Sequence, residues 1–112
     1  MNSAKASVKV QRISAYKARL VADLIRNKNT QEAISILQTT NKKATKIILK
    51  LLKSAIANAT NNHGLDGQKL YISKILVNEG PTLKRYQPHS KGRAFPILKR
   101  TSHFYIEVIE RN

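Results

Sequence analysis

The fold of this chain is decided by the stretch from Gly80 to Arg100, which reads GPTLKRYQPHSKGRAFPILKR. Its three prolines exclude a helix and interrupt a regular strand ladder, but they are compatible with an exposed two-stranded ribbon. Structureless connections of this length are uncommon in compact domains, so the stretch needs a structure of its own. We predict a projecting β-hairpin over residues 79–101 that turns near Ser90–Gly92. At about 3.3 Å per residue, each arm would extend on the order of 30 Å.

The residues on both sides of this hairpin have the patterns of β-strands. Leu70–Val77 is apolar and rich in β-branched residues, which predicts a central strand. His103–Ile109 alternates apolar and polar residues, which predicts a strand that buries one face. Ala4–Gln11 alternates as well, with a basic outer face opposite a small apolar one. The positions predicted to face the core are Phe104, Ile106 and Val108 in one strand and Ala4, Ala6, Val8 and Val10 in the other.

Three helices are predicted between the strand Ala4–Gln11 and the strand Leu70–Val77, and the third of them is the longest. Ser14 is a candidate N-cap for a helix from Ala15 to about Arg26, because its hydroxyl can accept hydrogen bonds from the first-turn amides. Thr30 is a candidate N-cap for a short second helix, with Glu32 favourably placed in its first turn. The apolar residues predicted to be buried are Leu20, Val21, Leu24 and Ile25 in the first helix and Ala33, Ile34 and Leu37 in the second.

The third helix has the clearest amphipathic pattern in the chain. From Lys42 to about Asn61, apolar residues recur at helical spacing on one side, and Gly64 is suited to a left-handed position after its end. Such a helix can lie on an anionic membrane. However, its apolar face has the ordinary width for packing in a domain and carries no Trp or Phe. The sequence therefore predicts one α+β domain, residues 1–112, in which a three-stranded antiparallel sheet packs on three helices and carries a long β-hairpin extension.

The charge balance points to a polyanionic partner. Lys and Arg number 21 and Asp and Glu number 6, so the formal net charge is +15. No acidic residue occurs between Glu32 and Asp66, or between Glu79 and Glu107. A surface that only has to be soluble usually mixes both signs. Single-sign windows of this extent indicate nucleic acid rather than a merely solvated basic face.

Catalytic and metal-binding patterns are weak in this sequence. The chain has no cysteine, which excludes disulfides and thiolate metal sites, and its three histidines lack metal-like spacing. We interpret His63 as a turn residue, and His89 and His103 as contact residues rather than acid–base catalysts. The four glycines form no phosphate-binding loop. There is also neither an apolar run of about 20 residues nor a signal-peptide pattern. An enzyme acting on RNA would need a convergent acid–base set that is not found.

The hairpin is the best candidate binding site. Arginine grips phosphate through paired hydrogen bonds, and aromatic rings stack on unpaired bases. The hairpin supplies cations along both arms and two aromatic residues, Tyr86 and Phe95, which could instead pack against each other across the hairpin. These features indicate structured RNA or DNA as the partner. They do not distinguish a ribosomal protein from a regulator or a packaging protein.

A resemblance makes that distinction. The hairpin carries Gly80–Arg85, Lys91–Ala94 and Ile97–His103 in an order that is highly specific. On these residues, the chain is identified as a member of the bacterial large-subunit ribosomal protein uL22 family, and the resemblance covers nearly its whole length. The supporting matches elsewhere are Lys17–Arg26, Lys53–Ala59 and Asn62–Leu65.

The resemblance implies a structural, non-enzymatic protein of the cytoplasmic ribosome that uses no cofactor and no metal. It implies a small domain on the outer surface of the large subunit, which bridges RNA domains and supports assembly. It also implies a hairpin that lines the tunnel through which the nascent polypeptide leaves. The implied partners are large-subunit ribosomal RNA, neighbouring large-subunit ribosomal proteins and the nascent polypeptide, without a membrane and without a second copy of this chain.

The expected contact residues fall into two groups. At the hairpin tip the family commonly has Arg then Ala after the second proline, whereas His89 and Ser90 stand here, so a fixed positive charge is missing. Arg93 is expected at the tunnel wall. The residues expected to bind rRNA are Lys5, Lys9, Arg12, Lys17, Arg19, Lys84, Arg85, Tyr86, Lys99, Arg100, Thr101, Ser102 and His103. Those expected to line the tunnel at the tip are His89, Ser90, Lys91, Gly92, Arg93 and Ala94.

Overall fold

The computed structural model describes residues 3–88 and 94–111, and it describes side chains for residues 3–82 and 100–111. Five strands and three α-helices follow one another within this part of the chain, and α3 continues into a π-helical turn, Asn58–Asn62, before a short 3-10 turn, Gly67–Lys69. The elements are β1 (Ser3–Gln11), α1 (Ala15–Ile25), α2 (Thr30–Thr39), α3 (Lys43–Ala57), β2 (Leu70–Glu79), β3 (Leu83–Pro88), β4 (Ala94–Lys99) and β5 (Ser102–Glu110).

The main sheet is antiparallel and has the order β1-β5-β2. The central strand is therefore β5, and the prediction that Leu70–Val77 is central was wrong. Strand β2 lies at the edge of the sheet, and main-chain and arginine groups cover its outer side. The amide of Ile72 donates to the Lys28 carbonyl oxygen at 2.9 Å. Arg19 Nε donates to Val77 O at 3.0 Å, and Arg26 Nη1 donates to Ile75 O at 2.8 Å.

One face of the sheet carries the core, as predicted for β5. Phe104, Ile106 and Val108 are all buried against the helices, and α3 packs against β1 and β5 while α1 packs against β2. In β1 the alternation fails at Val10, which was predicted to face the core but is 46% exposed. A bulge between Val8 and Gln11 turns it outward, with φ +54°.

Helix α1 begins after Ser14, as predicted, and the Ser14 hydroxyl accepts from the Lys17 amide at 3.4 Å. Its buried face differs from the predicted one. Leu20 and Leu24 are 47% and 43% exposed, and the core is reached by Val21 and Ile25 together with alanines. The alanines let the helix lie close to the sheet, so the apolar stripe is displaced from its bulkiest residues. The buried alanines of α1 are Ala15, Ala18 and Ala22.

The other two helices follow their predicted boundaries closely. The N-cap of α2 is Asn29 rather than Thr30, because Asn29 Oδ1 accepts from the Glu32 amide at 2.7 Å, whereas Thr30 is the first helical residue and is buried. Helix α3 buries its apolar face and leaves its lysines exposed. The chain leaves the π-helical turn that extends α3 through Gly64, which has the predicted left-handed conformation with φ +66°.

The hairpin forms the second sheet. Strands β3 and β4 pair from Leu83 opposite Lys99 to Pro88 opposite Ala94, which confirms an antiparallel ribbon. The protein measures 65 × 26 × 17 Å, so its long dimension is far larger than a domain of this core would need. The predicted turn at Ser90–Gly92 lies outside the described residues.

Candidate nucleic-acid interface

Hydrogen bonds connect the two strands of the hairpin at its base, where it joins the domain. The Gly80 amide donates to Thr101 O at 2.9 Å, and the Thr101 hydroxyl donates to Pro81 O. A side chain at position 80 would not fit, because a Cβ there would lie 2.6 Å from Thr101 Oγ1 and 3.0 Å from His103 Cε1. The two arms therefore leave the sheet side by side from a rigid root.

The same root also holds the beginning of α1. Ser102 is fully buried, and its hydroxyl donates to Ile13 O at 2.7 Å. His103 Nδ1 accepts from the Val10 amide at 2.9 Å, within the β1 bulge. Thr101 and Ser102 were predicted to contact RNA, but the structure places both in the interior with their hydroxyls engaged. In this structure they position the hairpin, while His103 is half-buried at the surface.

The ribbon brings the predicted residues of both arms into register. Lys84 is the Cα partner of Leu98, and Arg85 is the partner of Ile97. Tyr86 lies opposite Pro96, whereas Phe95 lies opposite Gln87, so the two aromatic residues are not a cross-strand pair. Of the predicted tip, Ala94 begins β4, and the remaining residues lie outside the described part of the chain: His89, Ser90, Lys91, Gly92 and Arg93.

Arg100 is exposed where the hairpin meets the domain. It lines a groove of about 240 Å³ together with Ser14, Tyr16 and Thr82. This places a cation beside the N-terminal turn of α1, where main-chain amides already create positive potential. Glu79 lies on the same groove and offsets part of that charge.

The side of the main sheet that faces away from the helices, here called the outer sheet face, carries several exposed basic residues. Lys5 and Lys74 are the Cα partners of Glu107 on either side, and both are exposed. Lys9 is exposed in the bulge at the end of the same face. Near the other end, the Arg111 guanidinium lies 5.1 Å from the centre of the Tyr71 ring.

The carboxylate of Glu107, which lies among these basic residues of the outer sheet face, accepts hydrogen bonds from two neighbouring hydroxyls. Glu107 Oε2 accepts from the Tyr105 hydroxyl at 3.1 Å, and Oε1 accepts from the Ser73 hydroxyl at 3.2 Å. Burial, followed by the hydrogen bond and negative charge of Glu107, raises the pKa of Tyr105 above its ordinary value of 10.0. Tyr105 is therefore a protonated donor across the physiological pH range, and its ring forms part of the surface.

Lys74 and Arg111 were not among the predicted contact residues. In β2 a register shift between Ile72 and Lys74 interrupts the strict alternation. A strand pattern with a period of two residues therefore does not predict that Lys74 faces outward. Arg111 follows the last strand, and its neighbour Tyr71 lies 40 residues earlier in the sequence. In the sequence, only the positive charge of Lys74 and Arg111 could have indicated them as contact residues.

A second basic surface lies on α3, on the side of the helix opposite its buried face. This α3 lysine face is separated from the outer sheet face by the hydrophobic core, because α3 packs against β1 and β5 from the other side. Lys43 differs from the other lysines, since its Nζ donates to Arg12 O at 2.9 Å. The α3 lysine face consists of Lys42, Lys46, Lys50 and Lys53, all exposed.

The remaining predicted contacts lie between these surfaces. Arg12 and Lys17 are exposed, near the N-terminal ends of α1 and α3. Arg19 is exposed too, but its Nε is engaged at the edge of β2. Among residues 3–88 and 94–111, no group of three or more His, Cys, Asp or Glu residues could hold a metal ion. No helix in that part of the chain is long and apolar enough to cross a membrane.

Comparison with known proteins identifies the family. The model of the family "Ribosomal protein L22p/L17e" matches residues 6–109. The chain is 71% identical over 111 residues to the large ribosomal subunit protein uL22 of Metamycoplasma hominis, covering 99% of this chain and 86% of that one. It is 64% identical over 109 residues to the uL22 of Mycoplasmopsis agalactiae, covering 97% and 96%.

A third relative is longer. The chain is 75% identical over 108 residues to the uL22 protein of Metamycoplasma arthritidis, but these span 96% of this chain and only 51% of that protein. The match nevertheless extends through the domain and the hairpin in all three relatives. The chain therefore belongs to the L22p/L17e family, whose members are structural, non-enzymatic proteins of the large subunit of the cytoplasmic ribosome.

Proposed function

We propose that the chain acts as one domain that binds large-subunit ribosomal RNA through its basic surfaces. The observation that carries this proposal is the shortage of internal counter-charges. Within the described part of the chain, only two ion pairs form, Arg26 with Asp23 at 3.2 Å and Lys28 with Glu32 at 3.9 Å. The exposed lysines of both basic surfaces therefore gain most from a phosphate backbone, which also releases condensed counterions on binding.

The domain bridges two RNA segments. Its two basic surfaces belong to different elements, the main sheet and α3, and they face away from each other across the core, so each can contact a separate RNA segment. A rigid core between them would fix the relative position of two RNA segments, which supports subunit assembly. The neighbouring ribosomal proteins are then partners that meet the less charged remainder of the surface, and a second copy of this chain is not required.

The hairpin extends this binding into the RNA and lines the exit tunnel. An isolated two-stranded ribbon is only marginally stable in water, so it needs a surface along its length. Its cationic arms suit RNA, and its hydrogen-bonded root directs it away from the domain. The tip, including Arg93, then faces the nascent polypeptide, as in the family that this chain resembles.

The bridging proposal is tested by footprinting large-subunit RNA with matched double variants. Lys5→Gln with Lys74→Gln removes charge from the outer sheet face, and Lys50→Gln with Lys53→Gln removes charge from α3. We expect each pair to lose protection at a different RNA segment. Lys28→Gln, whose partner is Glu32, serves as a control that should change neither. Loss of the same nucleotides in both double variants would exclude bridging.

A further inference from the structure

We propose that the N-terminal turn of α3 binds one backbone phosphate of RNA, a site that rests on the proposed RNA-binding function and locates one contact within it. The turn begins at Lys42, which has extended backbone angles and no side-chain cap. The Thr45 amide donates to Lys42 O at 3.1 Å. Within the described residues, the amides of Lys43 and Ala44 have no acceptor. A helix with such amides presents partial positive charge and hydrogen-bond donors to an anion.

A buried hydroxyl supplies the second, independent observation. Thr45 is 4% exposed, and its Oγ1 is the buried side-chain atom that lacks a hydrogen-bond partner in the described part of the chain. A buried hydroxyl without a partner is costly. The Cα–Cβ bond of a helical residue tilts toward the helix N-terminus, so the Thr45 side chain lies toward the same end as the two amides.

A groove gives a ligand access to this turn. Its volume is about 380 Å³, and it is lined by Thr40, Lys42, Thr45 and Lys46 among others. Threonine in a helix occupies either of two χ1 rotamers, and the rotamer that turns Oγ1 toward the groove would give the hydroxyl an anionic oxygen as its acceptor. The groove therefore brings the Thr45 side chain together with those of Lys42 and Lys46, beside the turn that carries the two amides.

The charges of the turn favour an anion over a neutral ligand. No acidic residue lies in the first turn of α3, and cations at a helix N-terminus oppose the helix dipole. Lys43 is held away by its bond to Arg12 O, whereas Lys42 and Lys46 remain on the groove. A bound phosphate would relieve the repulsion between these lysines and the helix. A phosphodiester of RNA and a free phosphate ion share this chemistry, and the test must separate them.

The test compares Thr45→Val and Lys46→Gln with the wild-type chain in salt-titrated binding to a large-subunit rRNA transcript. Thr45→Val removes the hydroxyl with little change in shape, so thermal unfolding of the free protein should be unchanged or slightly higher. Its RNA affinity should fall about tenfold, since a hydrogen bond to a charged group is lost. Lys46→Gln is exposed and does not threaten the fold, and it should lower the slope of log K against log salt by about one.

Matched controls keep the outcome specific to this turn. Thr60→Val removes a hydroxyl that already donates to Ile56 O at 3.0 Å, and Lys28→Gln removes a charge outside both basic surfaces. Both should bind RNA within about twofold of wild type. Wild-type affinity in both Thr45→Val and Lys46→Gln would overturn the site while leaving the proposed function intact.

Amide NMR of the full chain with inorganic phosphate, at constant ionic strength, separates the two sources of phosphate. Shifts at Lys43 and Ala44 with unchanged RNA affinity in Thr45→Val would mean a free-ion site and would overturn the proposal. Shifts at these amides together with reduced RNA affinity would support it. If the wild-type chain binds an unrelated RNA of equal length with the same affinity as rRNA, that result would contradict the proposed function and therefore also this site.

Discussion

The hydroxyl of Ser102 donates to the main-chain carbonyl oxygen of Ile13, 89 positions away, across 2.7 Å in the interior of the domain. This bond joins the root of the hairpin to the residue before the N-cap of α1. Removing it should loosen the direction of the hairpin as well as the domain. The candidate interface on the hairpin is therefore supported by an interior contact that carries no charge.

Ser102→Ala is expected to lower the free energy of unfolding by about 1–3 kcal/mol, because a buried carbonyl loses its donor. Urea unfolding followed by circular dichroism measures the change. Ser54→Ala, on the exposed side of α3, is the control and should stay within about 0.5 kcal/mol of wild type. Equal stability of Ser102→Ala and Ser54→Ala would contradict a supporting role for this bond.

The buried face of α1 can be tested with two neighbouring residues. Ile25→Ala should cost about 2–5 kcal/mol, since Ile25 is fully buried and its removal leaves a cavity. Leu24→Ala removes a similar side chain that is 43% exposed, and it should cost much less. Thermal unfolding of both variants under the same conditions gives the comparison. A larger loss for Leu24→Ala would show that the helix is rotated from the orientation described.

Arg100→Gln should weaken association with large-subunit rRNA and lower the salt slope by about one, because one phosphate contact is lost. The folded domain should keep its stability, since Arg100 is exposed. Salt-titrated binding provides the measurement, with Lys28→Gln as the charge-matched control. A slope equal to that of wild type would show that Arg100 does not meet a phosphate.

Arg93→Ala is expected to enter large subunits normally while changing the response to macrolides or to arrest peptides. The reason is that Arg93 is proposed to face the tunnel rather than to anchor the protein in RNA. Sedimentation of subunits measures incorporation, and stalling in translation extracts measures the response. Failure of the variant to enter large subunits would instead assign Arg93 to an RNA anchor.

Much of the fold could be predicted from local patterns. The alternation of His103–Ile109 identified the buried face of β5, and Ser14 identified the start of α1, because both depend on neighbouring residues alone. Val10 was misplaced because a bulge changes the period without leaving a sequence signal as strong as the alternation itself. Leu20 and Leu24 were misplaced because hydrophobicity favours leucine over alanine, whereas close packing of α1 on β2 favours alanine.

The candidate interface was predicted less completely, because charge is visible in sequence and hydrogen-bond partners are not. The lysines of β1 were identified by their alternation, and their exposure is consistent with that interpretation. Thr101 and Ser102 were expected to contact RNA because they belong to the motif that carries the family resemblance. Their partners, Pro81 and Ile13, lie 20 and 89 positions away, and only the folded chain shows that their hydroxyls are occupied.

The two guanidinium groups that cover the edge of β2 also affect how copies of the free protein meet one another. An uncovered strand edge invites pairing with the same edge of another molecule, which leads to aggregation. Arg19 and Arg26 occupy carbonyl oxygens on that edge, and Arg19 adds a positive charge there, whereas the charge of Arg26 is offset by Asp23. An approaching strand of a second copy therefore finds the carbonyl oxygens of Ile75 and Val77 already occupied.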